Sequence, residues 1–294
     1  MAAAPETSDV LRFACTSCGA CCNRSPEVQL SEAAALSDMF VFRLMFRLYE
    51  LPRTPAARPA SRPTSESATF HGSKRLLTTF AARTHIVKRR EGAKTVEYRR
   101  HLLISALTLD TGAGACTALR EGRCSIYDRR PLGCRTLPFH YSRPEASARS
   151  DLEAFVGRPG HDCDTGRGAP VVLEQGRIVD PGSSRAREAA LHLRARDRRW
   201  QDAILRRLKT GSGASLPSLR EIEANAAVGA TTISMRVAWQ VAAEAGVIGA
   251  DECRALVAAQ AVVIDRDLAA STCSPDARQT LTEMRSEYRL ALRT

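Results

Sequence analysis

Nothing at the start of this 294-residue chain resembles a secretory leader. MAAAPETSDVLRF has no basic stretch followed by an apolar run and a small-residue cleavage site. No apolar run reaches the roughly 18 residues of a membrane span. Both absences point to the cytoplasm and away from a membrane partner. There is also no internal repeat, and no glycine-rich loop after a strand with an acidic residue downstream, so a conventional nucleotide or adenosylmethionine pocket is not indicated. Cysteine is scarce in the last part of the chain: after Cys163 only Cys253 and Cys273 follow.

Before that point cysteine is dense. Eight of the ten cysteines lie ahead of residue 164, and residues 15 to 22 read CTSCGACC. In a reducing cytosol such clustering reads as metal binding or redox chemistry, not as disulfides. Cys15, Cys18 and Cys21 form C-x2-C-x2-C, the step that bacterial ferredoxins use for three ligands of a cubane cluster. Zinc ribbons more often use paired C-x2-C arms. Cys22 is adjacent to Cys21, and because neighbouring side chains point apart, the two suit different centres or a supporting role for one of them. The second group is Cys116, Cys124 and Cys134 in CTALREGRCSIYDRRPLGCRTLPFH, followed by Cys163 in GRPGHDCDTG. Eight thiols suffice for two four-ligand sites, of iron-sulfur or zinc type. Gly19, Gly122, Gly133, Pro131 and Pro138 suit tight metal-binding loops. His140 and His161 are the histidines near the cysteines, and are secondary ligand candidates. Cys253 and Cys273, each alone in a helical context, read as buried small hydrophobes.

These two motifs resemble the CxxCxxCC cysteine-cluster family, the YkgJ-like proteins. Their second motif has a Cys, an Ile-Tyr, an Arg-Pro, a Cys-Arg and a Pro-Phe at the spacing of GRCSIYDRRPLGCRTLPF. Flagellin lysine N-methylase is similar in the same segment. The resemblance covers roughly residues 13 to 165 and implies a chelated iron-sulfur cluster (4Fe-4S) or zinc. It carries Cys15, Cys18, Cys21, Cys22, Cys116, Cys124, Cys134 and Cys163 over as ligands. Tyr127, Arg130, Pro131, Arg135 and Pro138 come over as structural residues of the motif. Arg130 and Arg135 are placed either to stabilise anionic thiolates or to pair with Asp128, and Tyr127 to pack against the cluster loops.

Three functions follow as expectations. The first is an iron-sulfur protein for electron transfer, sensing or structure. The second is a protein lysine N-methylase-like enzyme, and the third a zinc-stabilised binding module with a basic helix. The net charge of +11 comes from 43 Lys and Arg against 32 Asp and Glu. It is read as solvated surface, with nucleic acid the less favoured partner and a protein partner left open.

The expected fold class is α+β. Residues 1–182 would form an irregular, loop-rich cysteine-cluster domain with a short β-hairpin, and residues 183–294 a helical bundle. Within the first, residues 29–50 read as a helix through Leu36, Phe40, Leu44 and Leu48. The proline-rich stretch at 51–70 reads as a flexible insertion. Glu91-Gly92 reads as the turn of a hairpin within residues 74–110. Beyond 183, Leu193, Trp200, Ile204 and Leu208 form one apolar stripe of a helix stopped at Gly211. A capping box at Ser218 and Glu221 opens a helix reaching Gly246. Another helix spans about 251–270, and Ser274-Pro275 opens the last.

Overall fold

The computed structural model describes residues 9–22, 25–52, 81–111, 114–141, 143–210, 216–225, 229–270 and 273–293. Most of the proline-rich stretch and Gly211 therefore lie outside the described residues. The chain forms two compact units, each made of two stretches: residues 1–26 with 110–192, and residues 27–109 with 193–294. Helices and strands are both plentiful, as expected of an α+β chain, and every strand pairing is antiparallel.

The first unit contains all eight clustered cysteines. Strand β1 (Val10–Arg12) pairs with β8 (Val171–Glu174), which pairs with β9 (Arg177–Ile178). Helix α3 (Ala148–Val156) supplies Ala148 and Leu152 to a cluster with Phe139, Val172 and Leu173, flanked by Leu11, Phe13, Val156 and Ile178. This core is small. Much of the rest of the unit is loop, with the two-residue strands β6 (Leu119–Arg120) and β7 (Arg123–Cys124) and the four-residue helix α2 (Leu132–Arg135).

The second unit is built on a sheet in the order β10-β3-β5-β2, with β4 also paired to β5. Its strands are β2 (Glu27–Val28), β3 (Phe42–Pro52), β4 (Ala81–Glu91), β5 (Lys94–Thr108) and β10 (Thr231–Ser234). The expected hairpin is present, turning through Gly92 at φ +60°.

The helix read over residues 29–50 is corrected. Only α1 (Leu30–Ala35) is helical, and residues 42 to 52 are strand. Apolar residues four apart satisfy a strand as well as a helix, since four is a multiple of two. The sharper signal is the alternation of Phe42, Leu44, Phe46 and Leu48 with Arg43, Arg47 and Tyr49. Phe42, Leu44, Met45 and Phe46 are all buried, as befits a strand bonded on both sides.

Helix α4 (Pro181–Thr210) runs as expected, with Trp200, Ile204 and Leu208 buried and Leu193 half-buried. Arg196, Arg198, Arg199 and Arg206 are exposed. The capping box closes as predicted: Ser218 N donates to Glu221 Oε2 at 2.6 Å, and Glu221 N to Ser218 Oγ at 3.2 Å. The helix that it opens, α5 (Leu219–Asn225), does not reach Gly246. The β-branched run Thr231-Thr232-Ile233 turns to strand and pairs with β3, and a separate helix α6 (Met235–Glu244) follows. Helices α7 (Ala250–Ala269) and α8 (Pro275–Ala291) stand where expected, Ser274 Oγ accepting from Ala277 N at 3.3 Å. Cys253 and Cys273 are buried, as read.

One buried carboxyl on the apolar side of α4 was not foreseen. Asp197 is 1% exposed and accepts from Ser31 N at 2.8 Å, Ser31 Oγ at 3.2 Å and Gln201 Nε2 at 3.2 Å. Burial pushes its carboxyl up to about 6 from 3.8, and the Ser31 bonds only partly hold it down. The folded protein therefore binds more protons than the unfolded chain between those values. The neutral acid is favoured, so stability falls as pH rises from about 4 to about 6, by roughly 3 kcal/mol at most. Asp197→Asn, which stays neutral and keeps an acceptor for Ser31, is expected to remove this slope. Urea unfolding of both proteins at pH 5 and pH 7.5 checks it. An equal pH difference in the two would show that ionised Asp197 carries no burial penalty.

Candidate metal centre

The first cysteine loop is held by its backbone at both ends. Ala14 and Asp164 form an antiparallel bridge, Ala14 N to Asp164 O at 2.8 Å and Asp164 N to Ala14 O at 3.1 Å. In that register Cys15 faces Cys163 and Thr16 faces Asp162. Thr16 Oγ1 donates to the Asp162 carbonyl across the same gap. At the other end Cys22 O accepts from Cys116 N at 2.8 Å, and Cys22 N donates to Gly19 O at 2.8 Å. Cys116 O in turn accepts from Leu119 N at 2.9 Å, and Leu119 pairs with Cys124 across the β6–β7 turn.

Two left-handed residues let the loop fold this tightly, Ser17 at φ +61° and Gly19 at φ +75°. A Cβ on Gly19 would stand 2.9 Å from the Gly122 carbonyl oxygen and 3.3 Å from Leu119 Cδ1. Glycine is thus required both for its φ and for its approach to the β6–β7 turn. Gly19→Ala is expected to weaken metal retention by about tenfold or more, since roughly 1–2 kcal/mol of backbone strain adds to the clash. Competition against a chelator of known affinity measures it; unchanged retention would mean that the loop's seat on the turn is immaterial.

The electrostatics of the thiols report their neighbours. The Cys22 thiol donates to the Cys21 sulfur, and this bond, with the His161 and Arg130 charges, brings Cys21 down to about 6 against the cost of burial. The same bond raises Cys22, helped by burial and by the charges of Cys21, Cys116 and Cys124. Backbone N–H groups of Ala20 and Asp162, and the Thr16 side chain, lower Cys18. Burial raises Cys163, and so do the neighbouring Cys18, Cys15 and Cys21. Burial raises Cys116 also, with Cys124 and Cys21 contributing.

Seven of the eight expected ligands are thereby brought together around the 15–22 loop. Cys134 starts its own turn, with Cys134 N donating to Pro131 O at 2.8 Å. Cys15, Cys18 and Cys21 are exposed and the other five half-buried. Among the described residues no three Cys, His, Asp or Glu side chains already stand at metal-binding separation. The donors fit a soft metal by their chemistry: a crowd of thiols, several of them repelling one another as thiolates, is neutralised by a cation.

The flanking residues divide. Arg130 does both jobs weighed for it: its charge favours the Cys21 thiolate, while Nε donates to Tyr127 O at 2.9 Å. Tyr127 is not packed against the loops. It is 41% exposed and lies under the Arg130 guanidinium, 3.7 Å from the ring centroid. Arg135 is exposed. His161 stands near Cys21, with Nδ1 bonded to Phe155 O at 2.9 Å and its ring against Phe155. His140 stacks on Tyr141. Sequence reasoning missed Asp162 and Thr16, whose parts are played by a backbone amide and a hydroxyl in no recognisable motif.

The family model that matches the chain is CxxCxxCC, described as a domain proposed to chelate zinc or iron, over residues 14–163. No curated protein and no solved structure matches the chain. With half of its length matched and every clustered cysteine inside that span, the chain belongs to the CxxCxxCC family.

Proposed function

We propose that this cysteine-cluster protein chelates an iron-sulfur cluster, with Cys15, Cys18 and Cys21 among the ligands and Cys163 supplying the remaining thiolate. The observation that supports this most is the bridge that sets Cys163 across from Cys15 while the Asp162 amide donates to Cys18. Such a cluster supplies one-electron chemistry or a rigid structural core. The chain's own contribution is to hold anionic sulfur among N–H donors and the Arg130 and His161 charges, which stabilise thiolate ligands and raise a cluster's potential. The role is electron transfer, sensing or structural. Zinc is the second reading, favoured by the same thiols, because four thiolates complete a tetrahedral site.

Anaerobic purification followed by iron, acid-labile sulfide and zinc analysis of one sample tests the proposal. The expected result is a brown protein with iron and sulfide in equal amounts. Stoichiometric zinc without sulfide would transfer the function to the zinc reading, and protein that folds with neither metal would end both.

A further inference from the structure

We propose that the eight thiols form two separate four-thiolate centres, with the adjacent Cys21 and Cys22 assigned to different ones. The first is Cys15, Cys18, Cys21 and Cys163, and the second is Cys22, Cys116, Cys124 and Cys134. This rests on the chelation reading above and asks more of it.

The backbone makes the division. One end of the 15–22 loop is bridged to residues 162–164, which puts Cys163 opposite Cys15 and the Asp162 amide on the Cys18 sulfur. The other end is bonded to Cys116 through the Cys22 carbonyl, and Cys116 leads through Leu119 to Cys124. No printed backbone bond joins the 162–164 segment to the 116–124 segment. Each gathers its thiols at its own end of the loop.

Cys21 and Cys22 lie in one turn at that second end, and successive side chains diverge from it. Cys21 faces the charges of His161 and Arg130, and His161 is two residues from Cys163. Cys22 faces Cys116 and Cys124. Their mutual S–H···S bond is what two neighbouring thiols make while neither is bound to metal; metal on each sulfur replaces it. The first set has four members without Cys134. The second has three, and Cys134 is the clustered cysteine left to complete it.

Cobalt(II) titration of the reduced, metal-stripped full-length chain under argon tests this, because thiolate-to-cobalt charge transfer reports each tetrathiolate site as it fills. The wild type is expected to saturate at two equivalents. Cys163→Ser and Cys124→Ser are each expected to saturate at one, and the double variant to show no charge-transfer band. Cys15→Ser and Cys116→Ser form a second pair, should either first choice fail to fold. Saturation of the wild type at one equivalent would overturn the two-centre arrangement and leave chelation standing. So would single variants from both sets that each lose all binding. No charge-transfer band in the wild type would overturn chelation itself, and the division with it.

Discussion

Cys18→Ser is expected to lose the metal held at the N-terminal loop and to unfold much of the first unit, whereas Cys253→Ser is expected to keep both. The reason lies in the unequal means of support. The buried core of the first unit is Phe139, Ala148, Leu152, Val172 and Leu173, with four half-buried neighbours. A core of that size leaves little margin once the entropy of ordering its long loops is counted. Structural zinc in small thiolate sites contributes roughly 10–16 kcal/mol of apparent binding energy, as much as the whole stability of an ordinary domain. Chelation is thereby part of folding. Cys18 is exposed, and three donors converge on its sulfur, so serine there removes a ligand without disturbing packing. Cys253 is buried on α7, where serine leaves every clustered thiol in place. Metal per chain and the amide spectrum of the first unit, measured on both variants, decide the matter. A Cys18→Ser protein with full metal content and native spectra would show that this thiol is no ligand.

Gln260→Met is expected to destabilise the second unit by about 3–5 kcal/mol, although it changes volume little. Gln260 is fully buried, and its amide makes three bonds to one stretch of chain. Oε1 accepts from Phe42 N at 2.9 Å, while Nε2 donates to Ser37 O at 2.7 Å and to Phe40 O at 2.5 Å. Those bonds satisfy the backbone where it leaves the turn after α1 and enters β3, where no sheet partner serves it. A thioether can replace none of them. Each buried group left unpaired costs roughly 1–3 kcal/mol. Val262, two residues further along α7, is 70% exposed, and Val262→Ala should stay within about 0.5 kcal/mol of wild type. Chemical unfolding of the two variants side by side provides the comparison; equal midpoints would show that the Gln260 bonds are replaceable.

The amino-acid sequence by itself determined the chemistry of the site and the local ends of its elements. CTSCGACC and GRCSIYDRRPLGC name their ligands because thiol spacing within a loop is a local property. The Ser218–Glu221 capping box and the Ser274-Pro275 start could be read for the same reason: their hydrogen bonds close within three residues. Tertiary structure decided what depends on partners far along the chain. FVFRLMFRLY is a strand because β5 and β10 bond it on either side, a fact that neither its helix-compatible spacing of four nor its alternation could settle alone. TTIS leaves the helical pattern for the same reason, β3 offering it a ladder. Asp197 looked like one more charge on a basic helix until Ser31, 166 residues away, gave it a buried partner. Which thiols share an end of the cysteine loop follows from the bridge of Ala14 to Asp164 and the bond of Cys22 to Cys116. Those are backbone hydrogen bonds, which any side chain permits, and so they leave no trace in the residue types that make them.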